Sequence, residues 1–444
     1  MRGSRVVRLL VVSALAALSQ LGTPSAQAVS PPPIDERWLP EPADPAPPQP
    51  TVQREVCAAV SPSTGEPGQG HDQLADLDLP QVWQLTRGTG QRVAVIDTGV
   101  SRHRRLPNVV PGGDYVSTGD GTQDCDAHGT LVAGIIAAAP VSKAEGFSGV
   151  APDVTVISIR QSSTKFAPAT DRSGAGVGDV ETMAKAVRAA ADLGASVINI
   201  SSVACVPAAS VLDDRALGAA LAYAVDVKNA VVVAPAGNTA GSTGGAAQCP
   251  AQPSDATWET VTVAVSPAWY DDYVLTVGSV NADGAPSAFT LAGPWVDVAA
   301  TGEGMTVFGS APLSGTSYAA PVVSGLAALI RARFPTLTAR QVMQRIESTA
   351  HHPPAGWDPF VGNGTVDALA AVSTDSTSTT SSTPHVPPVP VSTTSPPPHS
   401  RPPDGHVRDA ALRGAAIGLV ALVAAVVSLR LRGPQGPRDG VPGD

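Results

Sequence analysis

Apolar positions along the chain fall into short runs separated by polar turns, and between residues 80 and 371 these runs alternate in kind. Arg92-Val-Ala-Val-Ile96, Val197-Ile-Asn-Ile200, Ala230 to Val233 and Val274 to Val277 are brief runs rich in β-branched residues, and they predict buried strands. Val180 to Leu193 and Ala216 to Val227 are Ala-rich stretches that predict helices, and Val322 to Ile330 is a longer apolar stretch. Strands alternating with helices at this interval predict an α/β fold, a mainly parallel sheet with helices on both faces.

The flanks have a different pattern. Residues 29 to 79 hold Pro31-Pro-Pro33 and Pro47-Pro48, lack clear periodicity and read as an extended N-terminal arm packed on the globular region. Residues 372–407 are dominated first by Ser and Thr, then by Pro, and cannot bury enough apolar surface to fold, so they predict a stalk. At the front, Arg2, Arg5 and Arg8 precede the apolar run Leu9 to Leu18, and Ala26-Gln-Ala28 supplies small residues for cleavage, so residues 1–28 predict a signal peptide. Residues 411–429 are apolar apart from Arg413. A helix of that length reaches about 28 Å, enough for a single membrane crossing. Residues 430–444 would form a short cytoplasmic tail, leaving the body of the chain outside.

Composition adds two constraints. With 43 Gly and 43 Pro the chain has too many for one compact fold, in keeping with the extended segments. A net charge of -10 argues against a nucleic-acid partner, which needs clustered Lys and Arg. The cysteines are Cys57, Cys125, Cys205 and Cys249; an even set in an exported chain predicts two disulfides, with all three pairings open. No CxxC or Cys/His cluster suggests a metal, and nothing calls for a cofactor.

Three motifs carry chemistry. Asp97-Thr-Gly99 closes the first strand, His128-Gly-Thr130 stands at a predicted helix start, and Gly315-Thr-Ser317-Tyr-Ala-Ala-Pro321 opens the apolar stretch before Ile330. A serine hydroxyl is a poor nucleophile at neutral pH. An imidazole must take its proton during attack, and a buried carboxylate must hold the imidazole in the right tautomer. Asp97, His128 and Ser317 are therefore candidate triad members. A fourth segment, Val231 to Asn238, ends in Ala236-Gly-Asn238, and an amide N–H of Asn238 with the Ser317 backbone N–H could stabilise a developing oxyanion. The lipase alternative is weak, because Ser317 lacks the closing Gly of a GxSxG elbow and stands last in the triad.

These motifs resemble the subtilisin-like protease superfamily across residues 80–371, and the order Asp, His, Ser is that of subtilisins. The stretches Gln123-Asp-Cys-Asp-Ala-His-Gly-Thr130, Arg105 to Asp114, Gly149-Val-Ala-Pro-Asp153, Ile157-Ser-Ile-Arg-Gln161 and Ser266-Pro-Ala-Trp269 are similar to the mycosins, membrane-anchored subtilases of type VII secretion systems. The resemblance implies a subtilisin-like three-layer fold, the triad and oxyanion roles named above, and disulfides Cys57–Cys125 and Cys205–Cys249. It also implies a protein substrate, subunits of a secretion membrane complex as partners, and a single-pass location in the cytoplasmic membrane. A mainly structural role in that complex, with catalysis secondary, is the alternative.

One departure bears on specificity. Where many subtilases read Ser-Leu-Gly-Gly, this chain reads Ser201-Ser-Val-Ala-Cys205, a bulkier wall, so Ser202, Val203, Ala236 and Gly237 are candidate substrate-binding residues of a selective protease. Three histidines, His103, His351 and His352, read as surface residues. Asp124 and Asp126 flank Cys125 and read as solvated loop carboxylates, with an electrostatic bias on the cleft as the alternative. Trp269, Tyr270 and Tyr273 read as core.

Overall fold

The computed structural model describes residues 29–58, 73–140, 147–171, 176–210, 212–240 and 248–373. The predicted signal peptide, nearly all of the stalk, the apolar segment 411–429 and the tail lie outside the described residues. Among the described residues no helix is long and apolar enough to cross a membrane.

In chain order the elements are β1 (Thr51–Gln53), α1 (Leu79–Leu85), β2 (Arg92–Asp97), β3 (Val109–Asp114), α2 (His128–Ala137), β4 (Thr155–Arg160) and β5 (Phe166–Pro168). They continue with α3 (Val180–Asp192), β6 (Val197–Ile200), β7 (Ala204–Pro207), α4 (Arg215–Ala222), β8 (Val231–Pro235) and β9 (Val263–Ser266). The last are β10 (Leu275–Val280), β11 (Val298–Thr301), α5 (Thr316–Arg333), α6 (Ala339–Thr349) and α7 (Ala368–Val372).

Seven strands form the central sheet in the order β11-β10-β8-β6-β2-β4-β3, and every pairing is parallel. Parallel strands covered on both faces must be apolar throughout, which is why β6, β8 and β10 are buried at every position. The chain lays β3 and β4 on one side of β2, then crosses to build β6, β8, β10 and β11 on the other. The topological switch thus falls beside β2, and Asp97 ends that strand at its carboxyl edge, where open α/β sheets form their clefts. The fold is a subtilisin-like α/β fold with a parallel central sheet.

Helix α5 is buried from Thr316 to Ile330, so it is apolar all round rather than striped. By contrast α3 and α6 are half-buried, and each starts with a capping box, at Asp179 and Thr338. Element bounds depart from expectation in two places. The strand foreseen over Val274 to Val277 runs on to Val280, paired with β11. The helix foreseen over Ala216 to Val227 is α-helical only to Ala222, then widens into a π turn over Tyr223–Val227. The Lys228 N–H closes that turn on the Tyr223 carbonyl.

Residues before 80 pack against the body of the fold. Leu74 and Leu77 are in the core, and the Val29 N–H bonds the Trp258 carbonyl. Strand β1 pairs antiparallel with β5, Arg215 stacks 3.8 Å from the Trp38 ring centroid, and a disulfide joins Cys57 to Cys125. Trp269 and Tyr270 are buried, as expected of core residues, and both donate to the Asp214 carboxylate.

Candidate active site

Asp97, His128 and Ser317 come from three separate elements and meet in one place. His128 Nδ1 lies 2.8 and 3.0 Å from the two Asp97 carboxylate oxygens, and its Nε2 lies 3.0 Å from Ser317 Oγ. Asp97 is 2% exposed and Ser317 8%, so the contact is largely shielded from water. Burial pushes the Asp97 carboxyl up, but the His128 charge and hydrogen bond, with the Thr98 N–H and Ser201 hydroxyl, hold it below the ordinary aspartate value. Burial pulls the His128 imidazole down, yet Asp97 beside it leaves it above the ordinary histidine value, helped by Asp124 and Asp126. Each group favours the charge of the other, which is what a carboxylate stabilising a transient imidazolium requires.

Two glycines permit this approach. A Cβ on Gly129 would sit 2.1 Å from the Gly99 carbonyl oxygen. Gly99 has φ +99, and a Cβ there would sit 2.1 Å from the Gln123 carbonyl oxygen. A side chain at either position would push the His128 helix away from β2.

Helix α2 starts without a capping side chain at its Ncap, because Ala127 has φ 66 and no hydrogen-bonding group. Its exposed N–H groups are met from outside: Gly129 N–H donates to Thr98 Oγ1 at 3.0 Å, and Thr130 N–H to Asp124 Oδ2 at 2.8 Å. This corrects the reading of Asp124 and Asp126 as solvated. Asp124 also accepts from Thr98 Oγ1, Thr130 Oγ1 and the Asp126 N–H, while Asp126 accepts from Ser163 and Thr164. Helix N-termini attract carboxylates, and two threonine side chains close by complete the pocket. The one sequence signal was an Asp four residues ahead of His128.

On the other flank, Asn238 Oδ1 accepts from Thr316 N–H at 2.8 Å and Thr316 Oγ1 at 2.9 Å. With its oxygen committed to Thr316, Asn238 is left with Nδ2 as its donor. Sequence reasoning missed Thr316, whose hydroxyl fixes the amide orientation. Cys205 and Cys249 are joined, and Cys249 N–H bonds the Asn238 carbonyl at 2.9 Å, so this disulfide braces the segment behind Asn238.

Ser202 and Val203 line a cavity of about 130 Å³ together with Met183, Leu217 and Pro267. Ala236 and Gly237 do not line it. Ala236 is buried and pairs its N–H with the Val277 carbonyl; Gly237, with φ +105, packs against Cys249 Sγ and turns the chain toward Asn238. His351 and His352 are exposed, while His103 stacks 3.9 Å from the Phe308 ring centroid. Among the described residues no group of three His, Cys, Asp or Glu side chains could hold a metal.

Comparison with known proteins agrees with this geometry. Residues 88–364 match the subtilase family, peptidase S8. Mycosin-4 of Mycobacterium tuberculosis is 70% identical over the full length of both chains. Mycosin-3 of the same organism is 42% identical, covering 92% of this chain and 95% of its own. A solved MycP3 protease of the ESX-3 type VII secretion system superposes with a TM-score of 0.71 at 44% identity, covering 78% of this chain and 100% of that one. The chain belongs to the subtilase family, as a subtilisin-like serine endopeptidase of the mycosin group.

Proposed function

We propose that Ser317 is the nucleophile of this protease, with His128 as general base and Asp97 as the group that orients it. Ser317 Oγ attacks the scissile carbonyl as its proton passes to His128 Nε2, and His128 then returns the proton to the leaving amine. The negative charge that forms on the carbonyl oxygen is met by Asn238 Nδ2 and the Ser317 backbone N–H. The observation that carries this reading is a single imidazole within hydrogen-bonding reach of both Asp97 and Ser317. Treatment of the full-length protein with a fluorophosphonate should modify Ser317, and Ser317→Ala should abolish labelling and lower turnover by about 10⁶-fold. Persistent peptide cleavage by that variant would refute the assignment.

The substrate is a protein chain whose backbone runs beside Ser201 to Val203, with Ser202, Val203, Ala236 and Gly237 shaping the cleft. The small cavity at Ser202 and Val203 favours few substrates with small-to-medium side chains. Rapid, general digestion of casein would contradict this selectivity.

The protease works at the outer face of the cytoplasmic membrane, exported by residues 1–28, held by 411–429 and associated with a type VII secretion complex. Support comes from the apolar segments and from a chain in an intact ESX-5 inner membrane complex, 40% identical with a TM-score of 0.69, which covers 91% of this chain. A mainly structural role is not favoured, because it leaves the aligned triad unexplained. Residues 29–79 stay attached and buttress the protease domain, 80–371, rather than acting as a removable inhibitor, since Cys57–Cys125 and strand β1 both tie them down. A mature N-terminus near Pro80 in protein from native membranes would overturn that last point.

A further inference from the structure

Asp124 lies four residues before His128, in the loop ahead of the helix, and its carboxylate is surrounded by donors. Oδ1 accepts from Thr98 Oγ1 at 2.8 Å and from the Asp126 N–H at 3.1 Å. Oδ2 accepts from the Thr130 N–H at 2.8 Å and from Thr130 Oγ1 at 2.6 Å. The same threonines link outward. Thr98 follows Asp97 directly and takes the Gly129 N–H at 3.0 Å, while Thr130 Oγ1 takes the Ser101 N–H at 3.0 Å. Asp124 therefore joins the turn after one triad residue to the first turn of the helix carrying another.

We propose that Asp124 is a positioning residue of the triad: its carboxylate fastens the Asp97–Thr98 turn to the start of the His128 helix and thereby sets the Asp97–His128 alignment. This rests on the triad assignment made above. The chemistry demands an anion. Each oxygen faces two donors, one of them a backbone N–H, so an amide in this place would turn its own N–H groups on Thr130 or Asp126 in either orientation. Burial and the neighbouring Asp97 charge raise the Asp124 pKa, and the Thr130 and Thr98 donors oppose that rise.

Asp124 also contributes charge. The groups facing His128 are Asp97 from β2, Asp124 and Asp126 from the preceding loop, and Ser317 and Tyr318 from α5, the Tyr318 ring centroid lying 5.1 Å away. Both loop carboxylates help to hold the imidazole proton. Neutralising Asp124 must make His128 easier to deprotonate, so the acidic limb of activity moves to lower pH.

The test measures the second-order rate of fluorophosphonate labelling against pH for the full chain in detergent. It compares Asp124→Asn, Thr98→Val and the double variant, with the melting midpoint followed for each. For Asp124→Asn the expected result is a plateau rate about 10- to 100-fold lower, in line with small misplacements of reacting groups. Its acidic limb should also move down, by up to about one pH unit. The double variant should be scarcely slower than Asp124→Asn alone, because both changes cut one connection. A plateau within about threefold of wild type with an unmoved limb overturns the proposal. So does a lower plateau with an unmoved limb and additive effects, the pattern of a merely structural residue. If Asp124→Asn fails to fold, Thr98→Val decides: it keeps the carboxylate but severs the link, and an unchanged plateau rejects the idea. Failure of the wild-type protein to label would instead reject the triad assignment.

Discussion

The two flanks of the active site are braced in different ways. On the His128 side, side-chain hydrogen bonds do the positioning: Asp124, Thr98, Thr130 and Asp126 knit the helix start to neighbouring loops. On the Ser317 side, Ser317 opens a buried helix, and Asn238 follows a buried strand with its side-chain amide oxygen held by Thr316. Each flank carries a disulfide, but Cys57–Cys125 reaches back to the N-terminal residues while Cys205–Cys249 lies behind Asn238. The contrast follows from the chemistry. A group that gains and loses a proton needs nearby charges as well as a position, whereas an oxyanion donor needs only a fixed direction.

Four experiments sharpen or break this comparison. The largest effect should come from Asp97→Asn, which leaves the geometry but imposes the wrong imidazole tautomer, and turnover should fall by about 10⁴-fold. A loss as small as tenfold would mean that His128 is oriented mainly by its loop. Next, Asn238→Ala removes the side-chain donor and should lower kcat by about 10²- to 10³-fold with KM little changed. A change confined to KM would place Asn238 in substrate binding instead.

Removing the disulfides one at a time separates the flanks further. Replacing both Cys57 and Cys125 by Ser should cost about 2–4 kcal/mol of stability, read from denaturant unfolding, with the smaller effect on turnover. The Cys205–Cys249 bridge closes a shorter loop, 44 residues against 68, so replacing it should cost only about 0.4 kcal/mol less. Its replacement should reduce kcat more, because Cys249 N–H supports Asn238. Equal effects on turnover would dissolve the distinction. The smallest effect concerns pH. Activity needs neutral His128, whose pKa is raised, so kcat/KM should fall as pH drops through a limb above the ordinary imidazole value of about 6.5. A limb below that value would show that burial outweighs Asp97.

Much of the site was legible in the sequence. Asp97, His128, Ser317 and Asn238 stand in short motifs whose small neighbours, such as Gly99 and Gly129, announce close backbone approach. The strands β2 and β6 were also plain, because parallel strands buried on both faces leave a nearly continuous apolar run. Asp124 was misread because a carboxylate in a polar loop looks the same whether it faces water or four donors; only the fold brings Thr98 and Thr130 to it. The positive φ of Gly237, which lets the chain turn toward Asn238, was not legible, because a Gly before an Asn reads alike in many loops. Which arm residues reach the core was not legible, because Leu74 and Leu77 are isolated apolar residues without a repeating pattern.

The sequence by itself determined which chemistry is available: an ordered Asp, His and Ser set, an α/β alternation and four cysteines. Tertiary structure alone decided how the cysteines pair, which donors the loop carboxylates meet, which way the Asn238 amide points and which wall residues line a cavity. The reason is physical. Residue identity and local period follow from neighbours along the chain, whereas burial, hydrogen-bond partnership and pKa depend on groups that are distant in sequence and meet only when the sheet has closed around them.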